Sequence, residues 1–174
     1  MVEKFKPDMY QKDIYAIDYK KLKSLGIKCL LFDLDNTIIS KNNRKLSRKL
    51  KDLIENLKDK GFRVIIFSNA PKAKIRPFKD YLEVDCSANS RKPCIKKFKK
   101  ILKIFKYEES EVAIIGDQLL TDILGGNKVG IYTILVDPIE VSELIFTKIN
   151  RFFEKIVIKR LKKHHLFEKG KYYD

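Results

Sequence analysis

Asp33 and Asp35 stand two residues apart in Asp33-Leu34-Asp35-Asn36-Thr37, directly after a short apolar run at 27–32 that reads as a buried strand. Two carboxylates at the end of one buried strand repel each other and lose hydration, a poor choice for stability alone. A divalent cation resolves the conflict. Asp117, in Gly116-Asp117-Gln118, follows a similar run at 111–115, and Asp122 comes soon after it. Ser68-Asn69 follows a run at 62–67, and Arg91-Lys92-Pro93 follows a weaker one at 83–86. Asp33 and Asp117 together suit Mg²⁺, which prefers oxygen ligands. A Ser68 hydroxyl and a Lys92 ammonium nearby would neutralise the outer oxygens of a bound phosphate, so the set describes phosphoryl chemistry. For one Asp alone a turn or a helix cap is explanation enough. For three, each at a strand end in one layer, it is not.

The elements that must position these residues alternate along the chain. Leu46, Leu50, Leu53, Ile54 and Leu57 are spaced three and four apart and predict one face of a helix over 46–60, with Gly61 as its stop. A short helix is expected at 71–79. Another, after Pro93, carries Ile95, Phe98, Ile101, Leu102 and Phe105 on one face. With a last strand at 130–136, the pattern predicts an α/β, three-layer, Rossmann-like fold. Its mostly parallel sheet of five strands has helices on both faces. In such sheets reactive groups gather at the carboxyl ends of the strands, where strand order reverses.

Composition bounds the class. At 174 residues the chain is long enough for one domain of ordinary size, and 44 % hydrophobic content excludes a disordered polymer. The formal charge of +15 suits an anionic partner, although Lys, Ile and Asn enrichment of the kind an AT-rich genome produces accounts for about half of the basic excess. Three irregularly spaced cysteines, Cys29, Cys86 and Cys94, argue against a disulfide framework or a paired-cysteine zinc site. The adjacent His164 and His165 read as surface residues. No run approaches the ~20 apolar residues of a spanning helix, and the opening Met-Val-Glu-Lys-Phe-Lys is not a signal peptide, so a reduced, cytoplasmic protein is expected.

The ordered set resembles the haloacid dehalogenase (HAD) superfamily of aspartyl-phosphate phosphatases: Asp33-Leu34-Asp35-Asn36-Thr37 is similar to the first motif, Ser68 to the second, Lys92 to the third, and Gly116-Asp117 with Asp122 to the fourth. The stretches 26–37 and 116–127 further resemble the YqeG family of subclass IIIA phosphatases, which is similar to the mitochondrial phosphatidylglycerophosphate phosphatase. The likeness covers about 15–138. It implies that Asp33 is the nucleophile and that Asp35 protonates the leaving alcohol and then activates water. It implies Mg²⁺ on the Asp33 carboxylate, the Asp35 carbonyl and Asp117, with Asp122 either a water-mediated ligand or a helix-start residue. Ser68, Asn69 and Lys92 fall to the substrate phosphate. One departure is Ala70, where the pattern has a second Asn, which bears on substrate contacts.

The intervals between motifs leave no room for a cap domain, so the site is expected to be open. An open site buries little of a small metabolite and suits a phosphate presented on a protein, a nucleic acid or a membrane. A single domain over 1–174 is expected, with an N-terminal packing segment at 1–25, a catalytic core at 26–138 and a basic amphipathic helix and tail at 139–174. In that tail Ile149, Phe152, Phe153 and Ile156 fall on an apolar face, while Arg151, Lys155, Lys159 and Lys162 form another stripe. The first half is expected to pack on the sheet, and 159–165 to form an exposed basic patch able to meet anionic headgroups at the inner membrane face. Tyr172 and Tyr173 are expected to be ragged terminal residues. Arg44, in the basic loop at 40–45, is expected to be solvated unless it touches substrate.

The leading expectation is therefore a Mg²⁺-dependent phosphomonoesterase with phosphatidylglycerophosphate as the implied substrate. Alternatives are a phosphatase of a phosphoprotein or of a nucleic-acid end, and a basic nucleic-acid or ribosome-binding module that keeps the fold without turnover. The last lacks recognisable RNA-binding aromatic signatures.

Overall fold

In the computed structural model the described residues are 2–40, 46–140 and 145–174, with side chains described outside 145–151. The expected place of Arg44 and the start of the basic tail at 141–144 lie outside them, as does the side chain of Ile149. The elements in chain order are β1 (Met9–Gln11), α1 (Tyr19–Ser24), β2 (Cys29–Phe32), α2 (Arg48–Asp59), β3 (Arg63–Phe67), α3 (Lys72–Leu82) and β4 (Asp85–Ser87). They continue with α4 (Ile95–Phe105), β5 (Val112–Gly116), α5 (Leu124–Val129), β6 (Tyr132–Val136) and α6 (Ile145–Lys163).

The sheet has the order β1-β6-β5-β2-β3-β4 and every pairing within it is parallel. From β2 the chain first builds outward through β3 and β4, then returns to the other side of β2 with β5 and β6. The reversal opens a crevice at the carboxyl ends of β2 and β5. Side-chain alternation along β2 divides the core: Leu30 and Phe32 join the layer with Ile54 and Leu57 of α2 and Phe78 of α3, and Cys29 and Leu31 join the layer with Phe98 of α4. Both faces are covered, which is why the central strands read as unbroken apolar runs. Phe67 and Phe98 pack at a tilt with ring centroids 4.5 Å apart. On that face α5 lies close: a Cβ on Gly126 would stand 2.7 Å from Ile114 Cγ2, so only glycine lets the helix sit there.

Local signals set the helix ends. Ser47 caps α2 by accepting from Leu50 N at 3.2 Å, and Gly61 follows at φ +81. No cap domain interrupts the described residues between the motifs.

The sheet differs from expectation by one strand: six, not five. The additional β1 comes from the N-terminal segment and pairs with β6 through Met9↔Ile134 and Tyr10↔Leu135. A three-residue strand is too short to show a period, so apolar content alone marked the segment as packed. The terminal tyrosines are not ragged. Tyr10 N donates to Tyr173 O at 2.8 Å and Tyr173 N donates back to Tyr10 O at 2.9 Å. Tyr10, Leu135, Leu161 and Phe167 form a buried cluster. Among the described side chains of α6, the buried one lies near its end. Leu161 is buried with Val157 and Ile158 beside it, whereas Phe152 and Phe153 are 61 % and 53 % exposed. His164 and His165 are exposed, and all three cysteines are free.

Candidate active site

The register of the three central strands brings the motif residues together. Phe32 pairs with Ile115 on one side and with Ile66 on the other, so Asp33 emerges beside Gly116 and Phe67. Its N–H still donates to Ile115 O at 2.9 Å, which fixes the start of the turn. Asn36 sits at φ +64, a left-handed conformation that asparagine tolerates well, and this sends the chain back over the strand ends.

Lys92 occupies the centre. Its Nζ lies 2.6 Å from Asp33 Oδ1 and 2.6 Å from Asp122 Oδ1, and donates to Phe67 O at 2.8 Å. Two of its three N–H donors are spent on Asp33 and Phe67, and its charge faces the Asp122 carboxylate as an ion pair. Asn69 holds the same residue by its backbone, accepting from Lys92 N at 2.7 Å and donating to Lys92 O at 3.2 Å. Ser68 Oγ accepts from Ala70 N at 3.1 Å, which leaves its O–H to donate elsewhere. Asp122 lies beneath the end of β5. Its Oδ2 accepts from Gln118 N at 3.2 Å, and a Cβ on Gly116 would stand 2.3 Å from that carboxylate. Glycine at 116 is thus required by Asp122. Thr37 Oγ1 stands 3.5 Å from Asp117 Oδ1.

Asp33, Asp117 and Asp122 each present an oxygen, and these oxygens lie within 4.8 Å of one another. Burial raises the Asp33 pKa, Lys92 works against that rise and Asp122 adds to it, leaving the carboxyl pushed up to about 6. Burial also works against the Lys92 ammonium, but Asp122 and Asp33 outweigh it and hold its pKa above the ordinary lysine value. Three carboxylates around one lysine leave an excess of negative charge in a buried place. The donors are oxygens only, with no His or Cys among them, so a hard divalent cation such as Mg²⁺ fits the set.

The predicted Asp33, Ser68, Asn69, Lys92, Asp117 and Asp122 thus share one crevice. The Asp35 carboxylate is not one of the three oxygens and is paired instead: Lys74 Nζ meets its two oxygens at 2.6 Å each. Lys74, in the first turn of α3, was not legible as a site residue, because it is one lysine among several in a basic helix. Glu154 of α6 was not legible either. Its Oε1 accepts from Leu119 N at 2.7 Å and so ties α6 to the turn between Asp117 and Asp122.

A family model described as mitochondrial PGP phosphatase matches residues 2–140. The chain is 35 % identical over 159 residues to the protein named probable phosphatase YqeG of Bacillus subtilis (strain 168), a match spanning 91 % of this chain and 92 % of that one. It is 30 % identical to the chloroplastic/mitochondrial phosphatidylglycerophosphate phosphatase 1 of Arabidopsis thaliana, over 79 % of this chain but 42 % of that longer protein. Among solved structures, the cobalt-bound deoxy-D-mannose-octulosonate 8-phosphate phosphatase of Haemophilus influenzae superposes with a TM-score of 0.54 at 15 % identity. That match covers 85 % of this chain and 96 % of the other, and shows a shared fold.

Proposed function

The chain belongs to the PGP phosphatase family, and from that premise we propose that it is a Mg²⁺-dependent phosphomonoesterase of HAD subclass IIIA that removes the terminal phosphate of phosphatidylglycerophosphate. The observation that carries the chemistry is the buried Asp33 carboxylate held 2.6 Å from Lys92 Nζ beside Asp117 and Asp122.

In this reading an Asp33 oxygen attacks phosphorus, a phosphoaspartyl bond forms, and the bond to the leaving alcohol breaks. Asp35 gives its proton to that oxygen, then takes one from the water that cleaves the phosphoaspartyl, so Asp33 is restored and inorganic phosphate leaves. Lys92 orients Asp33 and, with the Ser68 hydroxyl, offsets charge on the transferring group. Asn69 holds Lys92 in place. Asp33 and Asp117, with Asp122 and the Asp35 carbonyl completing or supporting the set, would hold Mg²⁺, which would supply positive charge to offset that of the phosphoryl oxygens.

The lipid substrate is supported by the family and by the names of the plant relatives. It is supported also by a crevice with no cap among the described residues and by the outer face of α6. There Phe152, Ile156, Lys159 and Lys163 are exposed and spaced to lie on one side. No helix among the described residues is long and apolar enough to cross a membrane. Peripheral contact with an anionic leaflet, from the cytoplasm, is the arrangement we infer.

The test is phosphate release from a panel of lipid, protein, nucleic-acid and sugar phosphates with Mg²⁺ or with EDTA. Release from phosphatidylglycerophosphate well above the others, lost in EDTA and restored by Mg²⁺, is expected. Preference for a phosphoprotein or a nucleic-acid end would replace the lipid assignment, and full activity in EDTA would remove the metal.

A further inference from the structure

Two lysines meet the motif carboxylates, and they are held differently. Lys92 is pinned between two carboxylates and the Phe67 carbonyl, with a side chain 2 % exposed. Lys74 spends both of its short contacts on the single Asp35 carboxylate, keeps one N–H unspent by those two, and its side chain is 19 % exposed. Lys92 therefore belongs to the phosphoryl group. Lys74 stands on the other side of the reaction, over the residue that serves the leaving alcohol, at the edge of the crevice.

We infer that Lys74 is a specificity-determining residue for an anionic leaving group, binding a second phosphate carried by the alcohol whose monoester is cleaved at Asp33. The inference rests on the phosphatase reading above and deepens it. Two features carry it. A cation placed only to steady Asp35 could be as buried as Lys92, whereas the Lys74 side chain is partly exposed and keeps a donor beyond its two contacts with Asp35. The alcohol released from phosphatidylglycerophosphate carries a phosphodiester one glycerol unit from the oxygen that Asp35 protonates, so a cation touching Asp35 is within a side chain's swing of it. A charge-assisted contact from lysine to phosphate would form there at the crevice edge, where desolvation is small. A neutral alcohol gains nothing from it.

The experiment uses the full chain and two soluble monoesters that differ in the second phosphate: glycerol 3-phosphate and the deacylated headgroup glycerophosphoglycerol phosphate. kcat and KM are measured with Mg²⁺ at low ionic strength for wild type, Lys74→Met and Lys74→Arg. Wild type is expected to favour the doubly phosphorylated substrate in kcat/KM by about tenfold or more, the worth of one charge-assisted hydrogen bond. Lys74→Met should erase that preference mainly through KM, and Lys74→Arg should retain most of it. Equal losses on both substrates in Lys74→Met, or no preference in wild type, overturns the assignment. Hydrolysis of an aryl phosphate by wild type is followed in parallel: if it proceeds while the preference is absent, Lys74 alone is misassigned, and if no monoester is cleaved, the phosphatase reading falls and takes Lys74 with it.

Discussion

Asn69 grips Lys92 by its backbone, accepting from its N–H at 2.7 Å and donating to its C=O at 3.2 Å, so the second motif sets the position of the third. A side-chain amide, with an acceptor oxygen beside a donor nitrogen, can satisfy a peptide donor and a peptide acceptor at once. Asn69→Ala leaves both groups of a buried residue unpaired, which is expected to cost about 1–3 kcal/mol. It should also lower kcat, because Lys92 would no longer be held against Asp33. Denaturant midpoints and initial rates check both effects. A variant with wild-type kcat would show that Lys92 is placed without this clamp.

Asp33 gives a pH signature in the metal-free protein. Folding raises its pKa to about 6, from an ordinary value of about 4. The folded state therefore holds this proton more tightly than the unfolded one. Its contribution to stability is greatest below about pH 4, declines as pH rises to about 6, and stays low above that. Asp33→Asn cannot titrate, so in EDTA the wild-type-minus-variant difference in unfolding free energy should fall across that window. Turnover should vanish in the same variant, because an amide is a poor nucleophile. A flat difference, or near wild-type hydrolysis of an aryl phosphate, contradicts the site.

Gly116 is predicted to tolerate no side chain. A Cβ there would meet the Asp122 carboxylate at 2.3 Å, and Asp122 is pinned by Lys92 and by Gln118 N. Gly116→Ala is expected to destabilise by about 1–3 kcal/mol, as overpacking in a close-fitted interior does. It should also weaken the Mg²⁺-dependent rise in Tm, since the three-oxygen group would be displaced. An unchanged Tm with and without Mg²⁺ would mean that the turn relaxes freely.

Much of this site was legible because it is built from strand ends. Apolar runs fixed where β2, β3 and β5 stop, and the residues after them had to meet in a parallel sheet. The same logic missed Lys74, which reaches in from a helix and has no spacing that separates it from Lys72 or Lys79. It missed β1 and the Tyr173 pairing as well. Those contacts join the two ends of the chain and leave no local period, and Tyr10 and Phe167 reveal their burial only once the tail is folded back. Cap residues at Glu83 and Lys106, both left-handed, were equally silent, since neither is the glycine that normally marks such a position.

The outer face of α6 carries the last prediction. Phe152 and Phe153 meet edge to face with centroids 5.8 Å apart and are exposed, and Lys159, Arg160 and Lys163 follow on the exposed side of the helix. Lys162, by contrast, pairs with Glu168 at 2.6 Å and belongs to the folded-back tail. Each base near an anionic leaflet contributes about 1 kcal/mol. Replacing Lys159, Arg160 and Lys163 with Gln should therefore weaken binding to anionic vesicles by roughly a hundredfold. Raised salt should act in the same direction, because the attraction is screened over about 8 Å at physiological ionic strength. Phe152→Ser with Phe153→Ser should weaken binding with little dependence on salt, since that part is apolar burial. Rates on a soluble phosphate should hold in both variants, whereas rates on a vesicle-borne phospholipid should fall with binding. Glu154 links this helix to the turn between Asp117 and Asp122, so a leaflet docked on its outer face stands in a fixed relation to the crevice. Sedimentation with anionic and neutral vesicles decides the matter: equal binding to both would leave the basic face as a solvated surface and favour a soluble macromolecular phosphate as substrate.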